Sequence, residues 1–266
     1  MNLSRPRILL ACGTTLVIST VICTAIAQAP PDGSRFKDFL LHEQFDIDND
    51  GRLDSEERAQ ARVAASERPA RGRRKGPGRN RRDAGEPAPR PETLPDSLRL
   101  TSEEVDHYPN ADMYDRSIVR TLFFEVEGDD WHSELSAFHG TDVEVPARMT
   151  IDGELLGEVG LSYRGNTSFD HPEKKSFGVS IDAYDDDLRL KGYRTLNLLN
   201  ANGDGSMMRE VLFSNIAEDH MPAPKANFVK VVVNGVYLGM YGNVQQINKD
   251  FTKEISERKT RKPDMK

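Results

Sequence analysis

The segment that decides the fold is Phe228-Val-Lys-Val-Val-Val-Asn-Gly-Val-Tyr-Leu-Gly-Met-Tyr-Gly-Asn-Val244. β-Branched and aromatic residues, which favour strands, lie on both sides of Asn234-Gly235. An Asn-Gly pair between two such runs is the strongest short-range signal for a tight hairpin turn, because both residues tolerate positive φ. The segment therefore predicts a β-hairpin that turns at Asn234-Gly235.

More strands and two helices are predicted upstream of this hairpin, so residues 112–253 are expected to form an α+β domain with an antiparallel sheet. A further turn is predicted at Asp152-Gly153. The predicted strands are Thr121 to Val126, Val143 to Ile151, Gly157 to Arg164, Lys175 to Ile181 and Thr195 to Leu199, and the predicted helices are Asp129 to Phe138 and Ser206 to Glu218.

The second of these helices has a predicted N-cap and a predicted buried face. Ser206 is expected to cap it, since a serine hydroxyl accepts bonds from the first free backbone N–H groups. Its apolar residues recur at helical spacing and are expected to face the core. They are Met207, Val211, Leu212 and Ile216.

Residues 46–57 match the 12-residue loop of a calcium-binding EF-hand within a helix-loop-helix over 34–66. Asp46, Asp48 and Asp50 stand at positions 1, 3 and 5 and offer hard carboxylate oxygens, while Gly51 at position 6 permits the sharp turn. The alternative is an Asp-rich surface loop that happens to fit the pattern.

The rest of the loop completes the expected ligand set. Arg52 would contribute its backbone carbonyl, Asp54 a water-bridged contact and Glu57 both carboxylate oxygens, and Leu53 would point between the flanking helices. No second loop is visible, so we expect a structural Ca²⁺ site with a Kd on the order of 10⁻⁴–10⁻³ M, as in extracellular modules.

The N-terminus predicts export. Arg5 and Arg7 precede an apolar run from Ile8 to Ala27, and Ala25-Ile26-Ala27 supplies a signal-peptidase site, so residues 1–27 read as a signal peptide. The mature chain would then be secreted, periplasmic or at the cell surface. The alternative is an uncleaved membrane anchor, since about 20 apolar residues span a bilayer. Both cysteines, Cys12 and Cys23, lie in this segment, so the cleaved chain would have no disulfides or cysteine metal sites.

Charge is unevenly distributed along the chain. The net charge is −7, yet residues 62–90 carry nine Arg and one Lys against three acidic residues, a net +7. Residues 67–98 are rich in Arg, Pro and Gly without apolar periodicity, which predicts a disordered linker. It is either a solvated spacer or a polyanion contact. It lacks interleaved aromatics, so no specific nucleic-acid recognition is predicted. Residues 254–266 form a polar tail.

Several stretches of residues 112–253, in their order and spacing, look like the CotH (spore coat protein H) kinase family. The Arg-Gly-Asn motif at residue 164, the Lys-Lys strand start at residue 174 and the Asn-Gly hairpin carry most of this resemblance. The stretches are Arg120-Thr-Leu-Phe-Phe124, Asp130-Trp131, Tyr163-Arg-Gly-Asn-Thr-Ser168, Lys174-Lys-Ser-Phe177, Leu196-Asn-Leu-Leu-Asn200, Met208-Arg-Glu-Val-Leu212 and Val233-Asn-Gly-Val-Tyr-Leu-Gly-Met-Tyr241.

The resemblance implies a divergent protein kinase that phosphorylates secreted or surface proteins with ATP and a divalent metal such as Mg²⁺. Residues 112–253 would correspond to its small lobe. Lys174 or Lys175 would then meet the nucleotide phosphates, and strand parity favours Lys175. Arg164 would be a second phosphate contact and Glu210 the partner of the lysine, with a hinge at Val244-Gln245-Gln246. Without the family, the lysines would read as a solvated strand edge, Arg164 as a hairpin ion pair and Glu210 as an exposed helix residue.

The catalytic aspartates of a kinase come from the large lobe, which would follow residue 250, and none is recognisable in this chain. We therefore expect an exported Ca²⁺-binding protein with a kinase-like lobe that lacks phosphotransfer activity as it stands. The alternative is a secreted CotH-type kinase whose large lobe is missing from this sequence. A small lobe alone would expose apolar surface, which predicts self-association or a protein partner or substrate at that surface.

Overall fold

The computed structural model describes residues 40–67, 99–166, 168–169 and 174–260. The predicted signal peptide, residues 1–27, lies outside the described residues, as do residues 68–98 of the predicted linker and residues 261–266 of the predicted tail. No helix within the described ranges has both the length and the apolarity needed to cross a membrane.

Seven strands form a closed barrel in the order β1-β2-β3-β4-β5-β7-β6. The predicted α+β class is confirmed, but the predicted antiparallel sheet is wrong: the sheet is mixed and closes on itself, because β6 returns beside β1. This β1–β6 pair is parallel, and the other six pairs are antiparallel. The strands are β1 Arg120–Val126, β2 Val145–Ile151, β3 Glu154–Arg164, β4 Ser176–Ser180, β5 Thr195–Leu199, β6 Ala226–Val233 and β7 Val236–Val244.

The Asn234-Gly235 turn joins β6 to β7, as predicted. Asn234 and Gly235 have φ values of 48° and 76°, and Val233 pairs with Val236 across the turn. The Asn234 side chain also accepts a hydrogen bond from the Val126 N–H and donates one to the Val126 carbonyl. The turn that the sequence makes most conspicuous therefore also holds the end of β1 against the barrel.

Alternate strand residues fill the barrel interior, as the period-2 pattern requires. They include Leu122, Phe124, Val145, Ala147, Met149, Val159, Leu161, Phe177, Val179, Leu196, Leu198, Val229, Val231 and Tyr241, all buried.

Five α-helices lie outside the barrel in the described part of the chain: α1 His42–Phe45, α2 Ser55–Ser66, α3 Trp131–Ala137, α4 Arg209–Glu218 and α5 Lys249–Thr260. Helix α4 follows β5, packs against β6 and β7 and leads into β6. A 3₁₀ turn, Ser102–Glu104, precedes β1.

Two predictions for α4 are wrong. The helix begins at Arg209 rather than Ser206, and its first N–H bonds to a carboxylate oxygen of Asp204, while the Ser206 hydroxyl accepts only from the Met208 N–H. Its buried face is Val211, Ser214 and Ala217, so only Val211 of the four predicted core residues is buried. The reason is packing: the short side chains let the helix lie close against β6 and β7 and turn Leu212 and Ile216 outward.

Residues 40–67 pack against the barrel. Leu41, Leu53, Ala61 and Ala65 are buried in the same apolar cluster as the barrel interior. The helix-loop-helix segment is therefore a covering layer of the barrel rather than a separately packed unit.

Candidate functional site

The acidic loop, residues 46–57, brings together the first three predicted metal ligands. One carboxylate oxygen each from Asp46, Asp48 and Asp50 lies within 4.8 Å of the others. Gly51 has a φ of 80°, a conformation that side chains rarely adopt, and its N–H donates to Asp46 Oδ2 at 3.1 Å. This turn folds the loop back so that three carboxylates face one small space.

The residues present fit a calcium ion. Asp46 Oδ1 is buried and has no hydrogen-bond partner among the residues that the structure describes, which is costly for a charged oxygen unless a cation satisfies it. The cluster offers only hard oxygen donors, the type that Ca²⁺ prefers. Three carboxylates this close also repel one another until a divalent cation neutralises them.

The remaining predicted ligands have other contacts in this structure. The two oxygens of Glu57 accept from the N–H groups of Ile47 and Asp54, at 2.7 and 3.0 Å, and thereby tie the two ends of the loop together. Asp54 caps α2 by accepting from the N–H groups of Glu56 and Glu57, both at 2.8 Å. The structure thus groups three of the predicted ligands and uses Asp54 and Glu57 as a capping box.

Arg52 reaches the barrel with its side chain, for which the loop template has no role. Its guanidinium pairs with Glu158 at 2.5 Å and lies over the ring of Tyr184, 4.7 Å from the centroid. The position-7 residue is therefore an attachment point between the acidic loop and β3.

Arg58 of α2 is the most buried link between the acidic loop and α3. It donates to the Leu53 carbonyl, to Glu134 and to Glu127, each at 2.9 Å. Burial opposes its charge, but the bonds to Glu134 and Glu127 outweigh this and raise the pKa of Arg58.

Two further links attach this segment. Asp142 accepts from the backbone N–H groups of Leu41 and His42. Arg62 pairs with Asp130 at 2.5 Å, and this bond lowers the pKa of Asp130.

A second group of predicted residues, Arg164, Lys174 and Lys175, lies where β3 ends and β4 begins; we term it the cationic end. Lys174 donates to the Met240 carbonyl and lies over the ring of Tyr241, and burial lowers its pKa. Lys175 donates to the Phe169 carbonyl, with its ammonium 4.4 Å from the centre of that ring.

Arg164 is a half-buried cation at this end. Burial lowers its pKa. A partly desolvated guanidinium is well suited to an anionic ligand, because charge-assisted hydrogen bonds offset the cost of its burial.

The structure does not join Glu210 to the lysines. Glu210 is exposed in the first turn of α4 and makes no ion pair in the part of the chain that the structure describes. The predicted hinge side chains are engaged elsewhere: Gln245 accepts from the Lys225 N–H and donates to Glu254, and Gln246 accepts from Asn197.

Helix α3 and the turn that follows it contribute contacts that the sequence does not reveal. His132 Nδ1 lies 2.5 Å from the Tyr163 hydroxyl, and His139 Nε2 lies 2.8 Å from the Gly165 carbonyl. The His139 ring stacks on Phe169 with a centroid separation of 3.6 Å. No local spacing predicts these contacts, because they depend on how α3 docks on β3.

Residues 161–262 match the family model of the CotH kinase proteins. This CotH match begins within β3, so it includes Arg164, Lys174, Lys175 and Glu210, and it excludes the acidic loop. The predicted resemblance is thus confirmed for the second part of the barrel. No curated protein matches the chain.

Two open depressions of about 330 and 290 Å³ lie near the start of β6. Both are lined by Lys191, Tyr193 and Lys225, and neither is lined by the residues of the cationic end. Because β4 runs antiparallel to β5, and β5 and β6 both run antiparallel to β7, the start of β6 and the start of β4 lie at opposite ends of the barrel.

Proposed function

We propose that the protein binds Ca²⁺ through the acidic loop, and that the ion stabilises the segment covering a CotH-type barrel. The observation that carries this proposal is the buried Oδ1 of Asp46, which has no partner in the described part of the chain and lies beside the carboxylates of Asp48 and Asp50. These three residues would hold the ion, and Arg52 through its carbonyl, Asp54 through water and Glu57 would complete the shell. The ion supplies charge neutralisation and no chemistry of its own.

The first prediction concerns the carboxylate at loop position 1. Asp46→Asn keeps the size of the side chain and removes its charge, so we expect Ca²⁺ affinity to fall at least about tenfold. Isothermal titration with CaCl₂ measures it.

The control is Asp186→Asn, an exposed aspartate outside the loop, which should bind like the wild type. A wild-type protein without calcium-dependent heat, or an Asp46→Asn variant with unchanged affinity, would refute the proposal.

A second candidate function is nucleotide binding, as in a secreted CotH-type kinase that uses ATP and a divalent metal. The CotH match and the grouping of Arg164, Lys174 and Lys175 favour it. Three cations at one barrel end suit a polyphosphate. Export through residues 1–27 and polyanion contact through residues 67–98 remain predictions from sequence.

The second prediction tests the cationic end. Lys175→Met should weaken Mg²⁺-ATP binding about tenfold or more, because it removes one charge-assisted phosphate contact. The matched control is Lys191→Met, which removes a lysine bonded to the Pro109 carbonyl at the other barrel end. Equal ATP affinity of the two variants, or no ATP binding at all, would eliminate this candidate.

A further inference from the structure

We propose that calcium occupancy of the acidic loop is transmitted through α3 to the cationic end of the barrel. The inference rests on the calcium binding proposed above and adds its consequence. Its basis is that α3 bonds on one side to α2, next to the loop. On the other side, His132 of α3 and His139 in the turn after it bond to the residues on both sides of Arg164.

The first step joins the loop to α3 through Arg58. One guanidinium nitrogen donates to the carbonyl of Leu53, at loop position 8, and another to Glu134 of α3. The side chains of Arg58 and Glu134 are 6% and 10% exposed. Since separating a buried pair leaves an uncompensated charge, movement of the loop carries Glu134 and α3 with it.

The second step joins α3 to the end of β3. His132 contacts the hydroxyl of Tyr163, and His139 contacts the carbonyl of Gly165. Tyr163 and Gly165 are the neighbours of Arg164 in the chain. A shift of α3 therefore acts on the backbone that presents this arginine.

The third step reaches Lys175. The Phe169 ring stacks on His139, and the Phe169 carbonyl accepts a hydrogen bond from the Lys175 ammonium. Tyr163 packs on Phe177, two residues beyond Lys175, with ring centroids 5.1 Å apart. Arg164 and Lys175 thus both rest on groups that are contacted by α3 or by His139, two residues beyond its end.

Calcium provides the driving force. It removes the mutual repulsion of the three loop carboxylates and so favours the loop conformation in which they lie together. A ligand that stabilises one arrangement of connected elements shifts the whole set toward that arrangement. Any effect is reciprocal, so an anion bound at the cationic end would raise calcium affinity by the same factor.

Hydrogen exchange of the full chain with and without CaCl₂ measures the transmission without a second ligand. In the wild type we expect calcium to slow exchange about fivefold in peptides covering residues 161–166 and 174–180. Tyr163→Phe combined with His139→Ala removes both contacts with this end, and we expect less than a twofold effect there. The matched control, Tyr237→Phe on β7, should behave as the wild type.

His132→Phe, at an exposed residue, removes the same contact with Tyr163 and replaces Tyr163→Phe in this pair if that variant fails to fold. Isothermal titration with CaCl₂ is run on every variant. Calcium binding with unchanged exchange at the cationic end would overturn this inference alone. A wild-type response in both link variants would also overturn it, and absence of calcium binding would overturn the proposed function as well.

Discussion

Arg120 and Asp152 form an ion pair whose side chains are 1% and 6% exposed. Asp152 lies in the β2–β3 turn, and its second oxygen accepts from the Thr121 N–H. Arg120 also donates to the carbonyls of Tyr108, Ala111 and Asp112. One guanidinium thus fixes the β2–β3 turn and the segment preceding β1 to the same end of the barrel.

We expect Arg120→Met to destabilise the protein by about 3–5 kcal/mol, because it leaves the Asp152 carboxylate buried without its cation. Denaturant unfolding measures the free energy.

Arg148→Met provides the comparison, since Arg148 pairs with Glu125 at the exposed surface. That change should cost no more than about 1 kcal/mol. Equal costs for the two variants would contradict this assignment.

At the scale of single residues, the sequence predicts what local spacing determines. The loop template identifies Asp46, Asp48, Asp50 and Gly51, because a metal loop draws its ligands from one short segment. It does not identify Arg58 or His132, because their partners lie far away in sequence, on α3 and β3.

At the scale of elements, strands are predicted well because the alternation of apolar and polar residues directly indicates which face is buried. The main difference is β3, which begins at Glu154 rather than Gly157. The Asp152-Gly153 turn has only two residues, with φ values of 49° and 85°, so pairing begins at once with Ile151 opposite Glu154. The buried face of helix α4 is predicted less well, because the helix has more apolar residues than positions that face the barrel.

The outer face of α4 therefore carries an apolar patch of Met208, Leu212, Phe213 and Ile216, each at least 51% exposed. Such patches mark interaction surfaces, and we expect a second copy of the chain to cover this one. Phe213→Ser should shift the protein toward monomer in concentration-dependent sedimentation.

Leu155→Ser is the control, since Leu155 is 64% exposed on β3, away from α4. A wild type that remains monomeric and unfolds independently of concentration would contradict the expectation.

At the scale of the whole molecule, the closed barrel and the docking of residues 40–67 could not be predicted. Closure depends on β1 and β6 meeting in parallel, and docking depends on Arg52, Arg58 and Arg62 meeting carboxylates of the barrel and α3. Both are contacts between distant segments, which periodicity within one segment does not encode.

Because the acidic loop is packed on the barrel, we expect calcium to stabilise the whole domain. At a free concentration 100 times the Kd, the gain is about 2.7 kcal/mol. For a chain of this size that raises Tm by roughly 5–10 °C. Differential scanning fluorimetry with CaCl₂ and then excess EGTA measures it, with Asp46→Asn as the unresponsive control. A wild-type unfolding transition whose Tm does not change with calcium would contradict this coupling.

The parallel β1–β6 pair has a consequence for how the chain folds. Arg120 lies opposite Val229, more than one hundred residues away in sequence. Forming this seam costs more loop-closure entropy than forming any of the antiparallel hairpins, which bring near neighbours together. The hairpins should therefore assemble first, and the last seam should set a slow folding rate for the domain.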